Sequence, residues 1–199
     1  MSEILENLFG SRERARLLRF FLQNPEKEFD LKEIARRTML NNAAAKKEIL
    51  SLAKIKFILA RVRKGRTFYI LNQNFNFYPE LKNLIAKSNI YPQCKSLEKV
   101  KGIGNIKYAG ISGVFINYHK SKADMVLVGE DISRAKLKSL MNNLEAEIGK
   151  EINFVLMNSE EMKYRLNMLD KFLLEFFEGP HEELINKVSG LKQFIAGRK

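Results

Sequence analysis

Between Phe29 and Leu71 the chain reads FDLKEIARRTMLNNAAAKKEILSLAKIKFILARVRKGRTFYIL, and the order of patterns in this stretch leaves few folds open. Two short helical patterns come first. Asp30 is placed to cap one, with Glu33 completing a capping-box-like pair; Ile34 and Ala35 face inward and Arg36 and Arg37 outward. Asn41 or Asn42 caps the other, where Ala45, Ile49 and Leu52, four and three residues apart, make one buried face. Asn42, Ala43, Lys46 and Lys47 fall on or near the opposite face. Ile58 to Val62 and Thr67 to Leu71 are β-branched and aromatic runs on either side of a basic turn, which predicts a hairpin. Lys64-Gly65 offers the turn one glycine for positive φ, a weaker signal than Asn-Gly.

Charge concentrates around this stretch. The 199 residues carry a formal net charge of +12, and 16 Lys/Arg against 8 Asp/Glu lie in residues 1–66. Two thirds of the excess in one third of the chain implies a localised surface for a polyanion, nucleic acid before an anionic membrane. With 45% hydrophobic and 29% charged residues the chain is globular and long enough for one large domain or two small ones. Cys94 is the only cysteine, which leaves no intrachain disulfide or cysteine-based zinc site and fits a reducing cytosol. No signal-like apolar segment opens the chain, and no run approaches the ~18 apolar residues that span a bilayer. A cytoplasmic location without membrane contact is the expectation.

The other elements follow from local signals. Ser11 caps a first helix with a stripe of Leu17, Leu18, Phe21 and Leu22, stopped at Asn24-Pro25; Glu28-Phe29 is a short strand. After the polar Asn72-Gln73-Asn74, Tyr78-Pro79 opens a helix to about Ser88, with Leu81, Leu84 and Ile85 as its stripe. A short helix near Ser96 to Val100 follows. Ile106 to Ile116 and Ala123 to Val128 have strand length, Gly129 ending the second. A helix from Ser133 to Ile148 shows Leu137, Leu140, Met141, Leu144 and Ile148 on one face, and Ile152 to Met157 is a third strand. Ser159 and Asp170 cap two more helices, the second closed by Gly179-Pro180. A short helix after Glu182 and a frayed basic tail, Gly197-Arg198-Lys199, end the chain. The fold class is α+β.

A helix with small and cationic residues on its first turns, beside a cationic hairpin, is the build of a winged helix-turn-helix. Asn42, Ala43, Lys46 and Lys47 are the candidate base readers, since asparagine pairs with adenine and lysine donates to guanine. Arg61, Arg63, Lys64 and Arg66 at the hairpin are assigned to phosphates or the flanking minor groove, and Lys32 and Asn41 to phosphates from helix termini. A homodimer is expected, because paired half-sites sharpen specificity.

The segments LFGSRERARLLRFFLQNP, FDLKEIARRT and KGRTFYILN resemble the arsenic-repressor type of winged helix. Over residues 8–185 the chain resembles regulators that join such a unit to a C-terminal domain of the minimal nucleotidyltransferase, or DNA polymerase β, type, through ADMVLVGED, GKEINFVLM, SEEMKYRL and FFEGPHEELI. Active members of that family carry Gly-Ser after the first strand, two aspartates one residue apart, and a third carboxylate on a later strand, a set that holds two Mg²⁺ ions and the nucleotide phosphates. Here Gly110 keeps the glycine and Ile111 replaces the serine. Lys122 stands at the first aspartate, Asp124 at the second and Asn153 at the third carboxylate. A register shift to Ser112-Gly113 does not restore the lost aspartate. The resemblance therefore implies a nucleotidyltransferase-like fold that is not an enzyme.

The resulting reading is a sequence-specific double-stranded-DNA-binding transcriptional regulator. It has a winged helix in residues 1–75, a linker helix in 76–90, a degenerate nucleotidyltransferase-like domain for sensing or dimerisation in 91–190, and a basic tail in 191–199. It needs no cofactor and no catalytic or metal-binding residue. Two rivals stand beside it: a nucleotidyltransferase with an unusual site around Asp124, and a module for a partner protein, such as the antidote partner of a toxin. His119 and His181 lack metal-like spacing to each other or to Cys94. The chain has no Gly-x-Ser-x-Gly, P-loop or Rossmann glycine pattern.

Overall fold

The computed structural model describes residues 2–87 and 94–191. The fold is mixed α+β, and the described residues divide into two compact units, one of residues 2–87, 94 and 142–151 and one of residues 95–141 and 152–191. The expected helix end at Ser88, the turn at Pro92 and the basic tail from residue 192 onward lie outside the described residues.

The first unit opens with α1 (Ser2–Leu8), a helix that the sequence patterns do not foretell. In α2 (Arg12–Gln23) the Ser11 side chain accepts from the Arg14 amide. Every residue of α2 from Ala15 to Leu22 is buried, not only the apolar stripe. β1 (Phe29–Asp30) leads into α3 (Leu31–Thr38), whose cap Asp30 accepts from the Glu33 amide at 2.8 Å. Met39, in the left-handed region at φ 52, closes α3 by donating to the carbonyls of Ala35 and Arg36. After that turn Asn41 caps α4 (Asn42–Lys54), which buries Ala45, Ile49 and Leu52.

β2 (Ile58–Arg63) and β3 (Arg66–Leu71) form the hairpin, and the three-stranded antiparallel sheet has the order β1-β3-β2. Lys64 and Gly65 both take positive φ, 49° and 71°, the combination that a two-residue loop needs to match strand twist. α5 (Tyr78–Lys87) joins this unit's core through Ile85, with Tyr78 and Leu81 packed against it. That core holds Leu17, Phe20, Phe21, Ile34, Ile49 and Phe57. Burial of each such side chain contributes about 1.5–3 kcal/mol.

In the second unit a 3-10 segment, Lys95–Gly102, precedes a four-stranded sheet of order β6-β5-β4-β7. β4 (Asn105–Ile111) pairs antiparallel with β5 (Met125–Glu130), and β5 pairs parallel with β6 (Phe154–Met157). A parallel pair requires a crossover, and α6 (Arg134–Ile148) supplies it, its residues from 142 on grouping with the first unit. Leu137, Leu140, Met141, Leu144 and Ile148 are all buried. α7 (Ser159–Asn167) and α8 (Lys171–Glu178) put Met162, Leu166, Leu173, Phe176 and Phe177 into one cluster with Val126, Val128 and Tyr108 of the sheet.

In the first unit the short strand falls at Phe29–Asp30, not Glu28-Phe29, and Leu84 of the expected α5 stripe is exposed. Local expectations in the second unit need correction too. β4 stops at Ile111 rather than Ile116, because Gly113 turns the chain at φ 51 into a 3-10 turn, Gly113–Phe115. β5 runs through Gly129, which lies against the Asn105 carbonyl where no Cβ fits. α7 is capped by Asn158, not Ser159. The segment Glu182–Asn186 is β7, a strand on β4, and not a helix: the open edge of β4 overrides the helical propensity of Glu-Glu-Leu.

Candidate nucleic-acid interface

α4 and the hairpin form the candidate interface, and both lie in the first unit. With Ala45, Ile49 and Leu52 turned into the core, Asn42, Ala43, Lys46 and Lys47 are all exposed, as are Arg61, Arg63, Lys64 and Arg66. Lys46, Lys47, Lys64 and Arg66 make no ion pair with another described residue. Asn41 is exposed too, but its side-chain oxygen is engaged, accepting the Ala44 amide at 2.7 Å. That leaves its role at the helix start structural first. Lys32 and Arg66 are brought together: both line a groove of about 470 Å³ with Asp30, Leu31, Thr67 and Tyr69.

Several cations from the same charge-rich third have other work. Arg16 and Arg19 are buried in α2, and burial lowers the pKa of both guanidinium groups from the usual arginine value. Arg16 donates to the Thr38 carbonyl at 2.9 Å, satisfying the C-terminal end of α3, and Arg19 donates to the Glu147 carbonyl. Arg14 pairs with Glu48 at 2.9 Å and ties α2 to α4. Arg37, expected to face out, instead lies over the rings of Phe20 and Phe29 and pairs with Glu151 at 3.2 Å. An arginine stem is long enough to fold over aromatic faces from a position that helical periodicity assigns to solvent. Glu28, which the sequence pattern marks only as strand, pairs with both Arg61 and Arg63.

The positions that the nucleotidyltransferase resemblance singles out lie in the second unit. Gly110 is buried in β4, where an added Cβ would overlap the Tyr108 side chain, and Ile111 is fully buried beside it. Lys122 pairs with Glu175 at 2.6 Å across a depression of about 490 Å³ between the loop that carries Tyr118 and α8. That ammonium holds the Glu175 carboxyl below the usual carboxylate range. Asp124 accepts the Val114 amide on one oxygen and the Asn153 amide on the other, each at 2.8 Å. The Asn153 side chain donates to the Lys122 carbonyl at 2.6 Å. Two divalent cations need several free carboxylate oxygens. A single aspartate with both oxygens already accepting backbone amides, and no second carboxylate beside it among the described residues, does not fit them. Among the described residues no three His, Cys, Asp or Glu side chains cluster as metal ligands. His181 sits against Phe176 and Phe177 with its Nδ1 2.9 Å from the Gly179 carbonyl, and His119 is exposed. No helix among the described residues is long and apolar enough to cross a membrane.

No family model matches this sequence, and no curated protein or solved structure matches it.

Proposed function

We propose that the first unit is a winged helix-turn-helix and that the protein is a double-stranded-DNA-binding transcriptional regulator, acting as a homodimer in the cytoplasm. α4 is the recognition helix, entering the major groove with Asn42, Ala43, Lys46 and Lys47. The β2–β3 hairpin is the wing, taking phosphates or the flanking minor groove with Lys64 and Arg66. The observation that carries this reading is the division of α4: Ala45, Ile49 and Leu52 anchor it while its cationic, small-residue face stays in solvent beside an exposed basic hairpin. The second unit, on this reading, is a nucleotidyltransferase-like shell without transfer activity that senses a ligand or pairs subunits.

The decisive experiment is a duplex-binding titration across salt concentrations, with the wild type and a Lys46→Ala, Lys47→Ala double variant. Affinity is expected to fall, and the slope of log K against log salt to flatten by about 0.9 for each phosphate that the variant no longer neutralises. An unchanged affinity and slope would remove Lys46 and Lys47 from the interface. Selection of bound sequences from a random duplex pool gives the half-site spacing, and the site is palindromic if the regulator is a dimer. Metal-dependent transfer from a labelled nucleoside triphosphate would overturn the second half of the proposal.

A further inference from the structure

We infer that Glu28 is a built-in competitor for the nucleic-acid backbone, occupying between Arg61 and Arg63 the place of a phosphate and so setting how strongly the hairpin takes any polyanion. This rests on the DNA-binding reading of the hairpin. One carboxylate serves both arginines: its Oε1 accepts from Arg61 Nη1 at 2.7 Å and from Arg63 Nη2 at 3.3 Å, and its Oε2 meets Arg63 Nη1 at 3.0 Å. The two-oxygen, two-nitrogen match at Arg63 is the fork by which guanidinium holds a phosphate.

The register brings the two arginines to one face. Arg61 and Arg63, two apart on β2, share one face of the sheet. Arg61 faces Phe68 of β3, and Phe68 faces Asp30 of β1. Glu28 lies just before β1, outside the paired residues, and its carboxylate reaches across to both arginines. The carboxylate is the held partner: its side chain is 18% exposed, against 50% and 63% for Arg61 and Arg63. The arginines keep their outer faces open to an incoming anion.

Exposed ion pairs in water are weak and exchange readily. A phosphate can displace Glu28, but it releases fewer counterions than it would on bare arginines. The sequence-independent part of the affinity falls, while the reach of α4 to base edges is untouched. Glu28 thus acts as a specificity-determining residue: it suppresses binding to wrong sequences more than it suppresses the reading of the right one.

The test compares wild type, Glu28→Gln and a Glu28→Gln, Arg61→Ala, Arg63→Ala triple variant in binding a random-sequence duplex and heparin across salt concentrations. Glu28→Gln is expected to bind about three- to tenfold more tightly at ~0.1 M salt, with a log–log slope steeper by up to about 0.9, one phosphate equivalent for the one charge removed. The triple variant is expected to lack that increase. Glu28→Asp, which keeps the charge and shortens the reach, should fall between. Wild type that binds duplex while Glu28→Gln binds it no more tightly, at an unchanged melting temperature, overturns this inference alone. Wild type that takes neither duplex nor heparin overturns the DNA-binding reading and this inference together.

Discussion

Asp124 and Gly113 illustrate how a residue's partners decide its role. The Gly113 backbone, at φ 51, passes so close to the Asp124 carboxylate that an added Cβ would overlap Oδ1. The carboxylate in turn fastens the Val114 amide of the 3-10 turn and the Asn153 amide before β6. Asp124 is thereby a knot between the ends of β4 and β6. Replacing Asp124 with Asn turns one acceptor into a donor facing an amide, at a cost of about 1–3 kcal/mol. Gly113→Ala adds the strain of a left-handed alanine to the overlap, about 1–3 kcal/mol. Urea midpoints of both variants check this, and an unchanged midpoint for Asp124→Asn would mean that its oxygens are available to a ligand after all. None of this was legible in the sequence, where Asp124 is one carboxylate near a lysine. Arg16 and Arg19 were equally opaque, because the carbonyls that receive them lie 22 and 128 residues away.

At the scale of elements, what was legible was what is local. The caps Ser11, Asp30, Asn41 and Asp170 each accept an amide three residues on, an interaction contained within four residues of sequence. The hairpin was legible for the same reason, from two β-branched and aromatic runs and one turn. β7 was not, because its identity comes from the open edge of β4, about 75 residues earlier in the chain. α4 allows capping and phosphate binding to be separated at one position. Asn41→Ala removes the acceptor for the Ala44 amide and should cost about 1 kcal/mol in chemical denaturation, weakening duplex binding only through the frayed first turn. Asn41→Asp keeps the cap, so stability should hold, while its charge at the candidate interface should lower duplex affinity severalfold. Equal stability of wild type and Asn41→Ala would deny the cap its role; an undiminished affinity of Asn41→Asp would place Asn41 away from the phosphates.

At the scale of the whole chain, the first unit is not continuous in sequence. Residues 142–151 belong to it, and polar contacts tie them to α2. The Asn24 side chain donates to the Gly149 carbonyl at 2.7 Å as well as to the Phe20 carbonyl, and Arg19 donates to the Glu147 carbonyl. Gly149, at φ 83, lets the backbone approach α2 so closely that a Cβ there would lie 2.9 Å from the Phe20 nitrogen. Glycine is needed twice over at that position, for its conformation and for its lack of a side chain. A boundary drawn from composition sees only the polar stretch after Leu71. Periodicity reports that α6 has a buried face and is silent on which unit takes up its last turns. The candidate interface is therefore carried by a unit that the first 94 residues do not complete. A fragment of residues 1–94 leaves Arg19 without the Glu147 carbonyl and Asn24 without the Gly149 carbonyl, each lost hydrogen bond worth about 0.5–1.5 kcal/mol. It should unfold at lower urea than the full chain, with faster hydrogen exchange along α2. Gly149→Ala in the full chain should shift stability in the same direction without deleting anything, because strain and overlap act at the one point of approach. If the fragment matched the full chain in midpoint and in α2 protection, residues 142–151 would be bystanders to the unit they touch, and Gly149→Ala would then leave duplex affinity and stability alike unchanged.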